Sequence, residues 1–330
     1  MRVLITGAAG MIGSKLAARI AADGHVGGVM VSAMHLTDVV EPAKPKADFL
    51  VTARGADFSA NGEAEHLASL KPSLVFHLAA IVSGEAEADF EKGYRINFDG
   101  TRALLDALRL TGEKPKVIFA SSIAVFGGPY PDLIPDDFNP QPLTSYGTQK
   151  LMGELLISDF SRKGFIDGVC LRLPTICVRP GAPNKAASGF FSGIIREPLA
   201  GKTAKLPVGL DVVHTHASPR SAIGFMLHAA DMDLGVLGAR RAIILPGVGV
   251  SVGDQIAALT RIAGARIASL IVPEPDEAVA KIVSGWPTRF EAKRSRELGF
   301  EAETSFDEII QAHIDDVHKG IVPSQALSPA

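Results

Sequence analysis

The residues best suited to chemistry are a tyrosine and a lysine four positions apart. Tyr146 and Lys150 lie in a stretch with a helical pattern, so this spacing places both side chains on one helix face. Ser122 comes earlier, at the end of an apolar run typical of a buried strand. A free tyrosine has a pKa near ~10, which must fall to about 7 for the phenol to act as a base near neutral pH. A cation about 4 Å away provides roughly enough energy for that fall, so Lys150 suffices in principle.

A glycine-rich loop near the N terminus predicts phosphate binding. Gly7, Gly10 and Gly13 directly follow an apolar run and open a helical pattern. In that context the first glycine permits a tight turn, the second lets the backbone approach a pyrophosphate, and the third lets the helix pack closely on the sheet. The first helical turn, with Met11 and Ile12, presents free N–H groups to the phosphates. We therefore expect a dinucleotide here.

Two acids indicate which dinucleotide binds. Asp38 ends the next strand-like run, where a carboxylate can accept both ribose hydroxyls of NAD. The 2′-phosphate of NADP would meet a like charge there, and no arginine follows in residues 39–42. Asp57, after the third strand, is expected at the adenine amino group. The alternative for both acids is an exposed carboxylate at a strand end or in a loop.

The order of elements predicts the fold that positions these groups. Strand and helix patterns alternate through the first half, with buried runs at 34–40, 74–80, 117–120 and 169–178 and helical patterns at 94–110 and 146–163. This alternation predicts an α/β protein with a Rossmann-type, doubly wound parallel sheet. After a turn-rich break at 180–183 the elements become shorter and mixed. We expect an NAD-binding domain over 1–178, joined by part of 212–246, and a smaller mixed α/β domain, mainly for the substrate, over 179–330.

Composition excludes several classes of partner. The chain has 33 Lys and Arg and 36 Asp and Glu, which gives a net charge of −3. It therefore lacks the excess of positive charge typical of proteins that bind nucleic acid or an anionic membrane. There is no apolar run of the roughly 18 residues that a membrane span needs. The N terminus has the pattern of a strand and not of a signal peptide, so we expect a cytoplasmic protein. The nine histidines make no metal-binding pattern, and no metal is expected.

Together the motifs resemble one large enzyme family. The sequence is similar to the extended short-chain dehydrogenase/reductases, in the NAD-dependent epimerase/dehydratase branch. The matching segments are 6–13, Asp38, 77–80, 97–101, 121–122, 125–127, 146–150 and 291–300. The resemblance implies that Tyr146 is the general base, Ser122 binds the reacting oxygen, and Lys150 holds the nicotinamide ribose and tunes the tyrosine.

The same resemblance implies further contacts and an assembly. Leu78, Ala79 and Ala80 would line the cofactor, and Asn97 would support the active site. Pro174 and Thr175 fall where the chain passes the nicotinamide, with Thr175 also facing the substrate. A homodimer is expected through helices 94–110 and 146–163, which carry extra apolar residues: Leu104, Leu105, Leu108, Leu151 and Leu155.

Departures from the family pattern narrow the reaction. Dehydratases carry an Asp-Glu pair where this chain has Ile123 and Ala124, so an acid to expel a hydroxyl is missing. Nucleotide-sugar enzymes usually place an arginine ahead of a strand that here is 211–216, without arginine. Segments 80–87, 172–176, 192–199 and 218–220 instead resemble the D-erythronate dehydrogenases, a subgroup that oxidises a four-carbon sugar acid at C2 with NAD.

That chemistry needs an anchor for the substrate carboxylate. Arginine suits a carboxylate because it can bind both oxygens, and Arg179 and Arg220 are the candidates. Ser83 and Asn184 are expected to line the substrate pocket. Two alternatives stay open: a nucleotide-sugar 4-epimerase, which uses the same Ser, Tyr and Lys but regenerates its cofactor, and a non-catalytic dinucleotide-sensing regulator.

Overall fold

The structure is a computed structural model that describes residues 1–181 and 187–322. Its strands follow the chain in short, mostly buried segments. They are β1 (Arg2–Thr6), β2 (His25–Val26), β3 (Val29–Met30), β4 (Ala33–Asp38), β5 (Leu50–Gly55), β6 (Leu74–His77), β7 (Lys116–Ser122), β8 (Asp167–Leu173), β9 (Thr175–Ile176), β10 (Ala204–Leu206), β11 (Val213–Ala217), β12 (Ala242–Ile244), β13 (Val248–Ser251) and β14 (Ile271–Pro273).

Helices connect most of these strands. They are α1 (Met11–Asp23), α2 (Glu63–Ser69), α3 (Ser83–Ala88), α4 (Phe90–Gly93), α5 (Thr101–Thr111), α6 (Ser145–Arg162), α7 (Gly189–Leu199), α8 (Pro219–Asp231), α9 (Val252–Ala263), α10 (Ala265–Ala268), α11 (Glu277–Ser284), α12 (Lys293–Glu297) and α13 (Phe306–His318). The expected helix at 94–110 begins with a π-helical segment, Tyr94–Gly100, before α5.

The centre of the molecule is a seven-stranded parallel sheet. Its strand order is β12-β8-β7-β6-β1-β4-β5, with every neighbouring pair parallel. One apolar cluster packs α1 and α8 on one face, and a second packs α2, α5 and α6 on the other. Strands covered on both faces are near-continuously apolar, as in β1 and β6. The predicted doubly wound Rossmann fold is confirmed.

A smaller layer lies beside the carboxyl ends of the strands. It contains a three-stranded sheet, β13-β11-β9, and the β10-β14 pair, packed on α7, α9 and α13. β12 returns from this half of the chain to the edge of the main sheet, beside β8. The run 169–178 is therefore two strands in different sheets. Pro174 separates them because proline has no N–H to continue a strand ladder.

Three leucines expected at a subunit interface belong to the core. Leu104, Leu105 and Leu108 are almost fully buried against the central sheet. The prediction that these three side chains lie at a subunit interface is therefore wrong. Leu155 on α6 is 63% exposed and Leu110 is 74% exposed, so the surface of these helices keeps some apolar area. The homodimer itself stays a prediction.

In the described ranges, 1–181 and 187–322, no helix combines the length and apolarity needed to cross a bilayer.

A buried ion pair joins three of these elements. Arg172 on β8 donates to both carboxylate oxygens of Glu154 on α6, at 2.7 Å for the closest contact. Glu154 Oε1 also accepts a hydrogen bond from the Ser121 hydroxyl on β7, at 2.6 Å. The guanidinium lies 4.9 Å from the centre of the Phe126 ring. The strand that carries Ser122 is thus tied to the helix that carries Tyr146.

We expect Arg172→Met to lower the free energy of unfolding by about 3–5 kcal/mol, because it leaves the Glu154 carboxylate buried without its cation. Urea denaturation measures this loss. Arg162→Met is the matched control, since Arg162 pairs with Asp159 on the surface of the same helix. Its loss should stay below about 1 kcal/mol. Equal losses in the two variants would contradict the role given to the buried pair.

Candidate active site

The glycine loop lies where the order of the sheet reverses. β1 has β4 on one side and β6 on the other, so the connections leave it in opposite directions and open a crevice at its carboxyl end. The loop leads to Gly10, which is the N-cap of α1 and makes no side-chain cap to the first helical N–H groups. These N–H groups and the helix dipole favour an anionic ligand.

Glycine is required at two positions of this loop because neighbouring backbone atoms come too close to leave room for a side chain. A Cβ on Gly7 would lie 2.7 Å from the Ala79 nitrogen, and a Cβ on Gly13 would lie 2.2 Å from the Gly7 oxygen. Gly7 also has a positive φ of 73°. The backbone therefore forms a cradle without side chains, which fits the pyrophosphate of a dinucleotide.

Asp38 lies beside this cradle. Its carboxylate accepts hydrogen bonds from the Ala9 nitrogen at 2.9 Å and the Val39 nitrogen at 2.7 Å. These two bonds hold the Asp38 carboxylate in place at the carboxyl end of β4. In this fold the ribose next to the pyrophosphate binds at that position. The arrangement fits NAD.

Asp57 is engaged by neighbouring side chains. It forms an ion pair with Arg95 at 2.7 Å and accepts a hydrogen bond from the Ser59 nitrogen at 3.0 Å. Partial burial would raise the pKa of Asp57, but the bonds from Ser59 and Arg95 outweigh it and lower the pKa. Its expected contact with adenine stays a prediction.

A cleft of about 380 Å³ joins the cradle to the side chains predicted to be catalytic. It is bounded by the carboxyl ends of β1, β6, β7 and β8 and by the smaller layer. The predicted site residues that line it are Gly7, Gly10, Met11, Ile12, Gly13, Leu78, Ala80, Ser83, Ser122, Tyr146, Lys150, Pro174, Thr175 and Arg179. Asn184 lies outside the described residues.

Helix α6 and strand β7 bring the serine, tyrosine and lysine together. The Thr144 hydroxyl caps α6 by accepting from the Gly147 nitrogen at 3.1 Å, which starts the helix just before Tyr146. Lys150 Nζ donates to the Ala120 carbonyl at 2.8 Å and lies 5.7 Å from the centre of the Tyr146 ring. Burial lowers the pKa of Lys150 to about 8.

Tyr146 lines the cleft together with Ser122 and Arg179. Burial raises the pKa of its phenol, and a hydrogen bond with Ser122 and the positive charge of Arg179 only partly oppose this. The role of Lys150 in lowering the pKa of Tyr146 stays a prediction, and an oxidised nicotinamide would add positive charge beside the phenol. Arg179 is the cation whose charge lowers this pKa, and sequence spacing had not associated it with Tyr146.

Arg179 reaches the cleft from the chain after β9. Its Nε donates to the Ile176 carbonyl at 3.1 Å, and its backbone nitrogen donates to the Ser192 hydroxyl at 3.0 Å. Burial lowers the pKa of Arg179, and the nearby Cys177 and Tyr146 oppose that fall. Within residues 1–181 and 187–322 no carboxylate forms an ion pair with it. A half-buried guanidinium that lines the same cleft as Tyr146 can receive an anionic group.

Arg220 lies elsewhere. Its guanidinium forms ion pairs with Asp315 at 3.3 Å and Asp316 at 2.6 Å, on the outer surface of α8 and α13. It borders a different depression, together with Gly299 and Phe300. The structure therefore brings Arg179, and not Arg220, to the cleft.

Asn97 and Ala79 lie behind the cleft wall. The Asn97 amide accepts from the Ile81 nitrogen at 2.9 Å and donates to Gln149 Oε1 at 2.8 Å. It therefore links the segment after β6 to α6. Ala79 contacts the cradle through its backbone, next to Gly7.

Sequence reasoning missed His214 as a cleft residue. Its imidazole lines the cleft and contacts the Thr175 hydroxyl at 2.7 Å. The sequence shows His214 and His216 two positions apart, which would place both on one face of a strand, but it does not indicate that either reaches the cleft. The strand pairing of β11 with β9, which brings His214 to Thr175, joins residues far apart in the chain, and no local pattern reports it.

The fold and the cleft define an NAD-binding enzyme of the short-chain dehydrogenase/reductase type, with a phosphate cradle and an adjoining Ser-Tyr-Lys set. A family model described as "NAD dependent epimerase/dehydratase family" matches residues 3–219. The chain belongs to the NAD-dependent epimerase/dehydratase family. The prediction of the family, of its NAD cofactor and of an NAD-dependent enzyme is confirmed.

Several relatives match nearly the whole chain. A D-erythronate dehydrogenase from Cupriavidus necator is 44% identical over 320 residues, covering 96% of this chain and 98% of that protein. Another from Haemophilus influenzae is 40% identical, covering 96% and 99%. A crystal structure of the nucleoside-diphosphate-sugar epimerase from Agrobacterium tumefaciens is 56% identical, with a TM-score of 0.96, covering 98% of this chain and 96% of that one.

We expect Gly13→Ala to weaken NAD binding at least about 10-fold, because its methyl group would displace the Gly7 carbonyl and deform the cradle. Isothermal titration with NAD measures the change. Gly224→Ala is the matched control, since Gly224 lies in helix α8 with nothing within 4 Å of the position that its methyl group would occupy. NAD affinity unchanged in Gly13→Ala would show that the phosphates bind elsewhere.

Proposed function

We propose that this enzyme oxidises the C2 hydroxyl of a short sugar acid with NAD, and that D-erythronate, converted to 2-oxo-tetronate, is its substrate. The observation that carries the proposal is the half-buried Arg179 guanidinium, which lines the same cleft as Tyr146. The substrate named for the C. necator and H. influenzae relatives supports the same choice.

The position of Arg179 selects the carbon that reacts. A carboxylate bound by the guanidinium places C1 of the acid at Arg179. C2 is then the carbon bonded directly to the anchored group, and its hydroxyl is the one closest to the arginine. Arg179 and Tyr146 line the same cleft, so the anchor and the base face one space. The C2 hydroxyl is therefore the one presented to the phenol.

In this proposal the chain's own residues handle the proton. Ser122 holds the C2 hydroxyl, and Tyr146 takes its proton as the C2–H bond breaks. When bound, NAD supplies the hydride acceptor and a positive charge beside the phenol. Lys150 stays hydrogen-bonded to the Ala120 carbonyl, and its ammonium favours the phenolate over the phenol. The products are a 2-oxo acid, NADH and a proton.

The proposed NAD site uses the cradle and its surroundings. Gly7, Gly10 and Gly13, with the N–H groups of Met11 and Ile12, would hold the pyrophosphate. Asp38 would accept the ribose hydroxyls of the adenosine half, and Asp57 would lie by the adenine. The nicotinamide half would contact Leu78, Ala80, Tyr146, Lys150 and Pro174, and Ala79 and Asn97 would support this wall from behind. The substrate would meet Ser83, Ser122, Tyr146, Thr175 and Arg179, with Asn184 as the remaining predicted contact.

A second candidate function is a nucleotide-sugar 4-epimerase, favoured by the 56% identical A. tumefaciens structure. It would use the same serine, tyrosine and lysine. The absence of an arginine from 211–216, where the family usually binds a diphosphate, argues against it. Net NADH production separates the two reactions, because an epimerase regenerates its cofactor.

We expect Tyr146→Phe to lower kcat by 10²–10⁴-fold, as the loss of a general base does, while NAD affinity changes little. Steady-state assays and NAD titration of the same preparation measure both quantities. Turnover within about threefold of the unmodified enzyme would remove Tyr146 from the role of base.

The substrate is tested by offering D-erythronate, L-threonate, erythritol and a UDP-hexose in parallel and following NADH. We expect NADH with D-erythronate and little with neutral erythritol, which offers no carboxylate to the half-buried Arg179 guanidinium. Arg179→Lys keeps the charge but loses the two-pronged geometry, so KM for D-erythronate should rise about 10- to 100-fold.

Arg220→Gln is the matched control and should leave that KM unchanged. A rise in KM for Arg220→Gln alone would move the anchor to Arg220. Conversion of the UDP-hexose to its epimer without net NADH would favour the epimerase over the dehydrogenase. Erythritol oxidised as fast as the acid would contradict the role of Arg179 as a carboxylate anchor.

A further inference from the structure

Thr175 and His214 make a direct hydrogen bond on the wall of the cleft. Thr175 Oγ1 lies 2.7 Å from His214 Nε2, and both residues line the cleft. On its other side the imidazole contacts the chain after α11, with Nδ1 3.1 Å from the Pro287 carbonyl oxygen. The imidazole therefore has one hydrogen-bond partner at each nitrogen.

The partners assign the proton on the imidazole. A carbonyl oxygen can only accept, so His214 Nδ1 carries the hydrogen and donates it to Pro287. Burial lowers the pKa of His214 to about 4, so the ring is neutral near pH 7 and holds one proton. His214 Nε2 is then a bare acceptor. The ring stacks on Phe191, with centroids 5.3 Å apart and planes 6° apart, which holds its orientation.

The same assignment determines what Thr175 can do. A threonine hydroxyl has one hydrogen to donate and two lone pairs that can accept. Its hydrogen goes to His214 Nε2, because that nitrogen has none of its own. Toward the cleft the hydroxyl can therefore accept a hydrogen bond but not donate one.

We propose that His214 is a positioning residue that makes Thr175 an acceptor for the substrate hydroxyl on C3, next to the carbon that is oxidised. This inference rests on the proposed function. A carboxylate or a keto oxygen cannot be the partner, because both only accept. The C2 hydroxyl is held by Ser122 and Tyr146, so a different hydroxyl must donate to Thr175.

The backbone between Thr175 and Arg179 points to C3. Arg179 folds back on the strand that carries Thr175, donating to the carbonyl of Ile176, the next residue along. The carboxylate anchor and the hydroxyl acceptor thus come from one short segment. Of the hydroxyls left on a four-carbon acid, the C3 hydroxyl is nearer to the anchored C1 than the C4 hydroxyl is.

The test compares D-erythronate with 2,4-dihydroxybutanoate, which lacks only the C3 hydroxyl. We expect the unmodified enzyme to prefer D-erythronate about 5- to 10-fold in kcat/KM, the effect of one hydrogen bond. Thr175→Val has the same shape without the hydroxyl and should reduce this preference to about 1. Thr175→Ser should restore it. The preference is a ratio within one enzyme, so a general loss of structure does not move it.

Two further variants examine the histidine. His214→Phe leaves the Thr175 hydroxyl free to rotate and to donate into the cleft, so the preference for D-erythronate should fall. A preference unchanged by His214→Phe would overturn the positioning role of His214. Thr215→Val is the matched control: it removes a hydroxyl that donates to the Thr288 carbonyl at 2.7 Å, on the same strand but outside the cleft lining. The preference should survive that change.

The outcomes separate this inference from the proposed function. Oxidation of both acids at equal kcat/KM, or a preference that survives Thr175→Val, would overturn the role of Thr175. A preference for D-erythronate over 2,3-dihydroxybutanoate, which lacks only the C4 hydroxyl, without one over 2,4-dihydroxybutanoate would overturn the choice of C3. If no short sugar acid yields NADH, the proposed function fails and this inference falls with it.

Discussion

The site depends on the close packing of helix α6 against the end of strand β7. A Cβ on Gly147 would lie 2.1 Å from the Ala124 oxygen, and a Cβ on Gly153 would lie 2.7 Å from the Phe119 ring. Lys150, between them, reaches the Ala120 carbonyl, and Glu154, one turn later, receives the Ser121 hydroxyl. Successive turns of one helix face therefore hold the strand end that carries Ser122. Tyr146, at the start of that face, has little freedom to move away from it.

That packing also shifts the pKa values of Tyr146 and Lys150. It removes both the phenol and the ammonium from water, and burial favours the neutral form of each. The pKa of Tyr146 rises and that of Lys150 falls to about 8. Proton transfer to Tyr146 therefore needs other charges in the cleft, and Arg179 is one of them. The close packing fixes the positions of Tyr146 and Lys150 but disfavours the phenolate. Positive charges in the cleft are therefore needed to offset the effect of that packing.

The parts of the site that were predicted from the sequence are local in the chain. The Gly7–Gly13 spacing and the spacing of Tyr146 and Lys150 act within one loop or one helix, so the residues themselves indicate their geometry. The choice between Arg179 and Arg220 depends on whether a distant acid, Asp316, is nearby, and spacing contains no such information.

The incorrect predictions for α5 and for the run 169–178 have the same cause, which is that they depend on contacts between distant parts of the chain. Leu104, Leu105 and Leu108 lie on a helix that carries more apolar residues than one buried stripe contains. Only the packed structure shows that all three face the sheet. The run 169–178 is apolar throughout, as buried strands of either sheet are, so its pattern does not reveal a change of sheet at Pro174. The contact of Thr175 with His214 follows from that change of sheet.

The division between local and distant contacts bears on how one family supports different reactions. In the proposed mechanism the cradle and the Ser-Tyr-Lys set would serve hydride and proton transfer on any suitable hydroxyl. A 4-epimerase must then turn its ketone so that the hydride returns to the opposite face. In the proposed reaction the carboxylate is held by Arg179, on the carbon next to the ketone, and a ketone held there cannot turn over. An anchor adjacent to the reacting carbon thus favours release of the oxidised product over epimerisation, with the same catalytic groups in place.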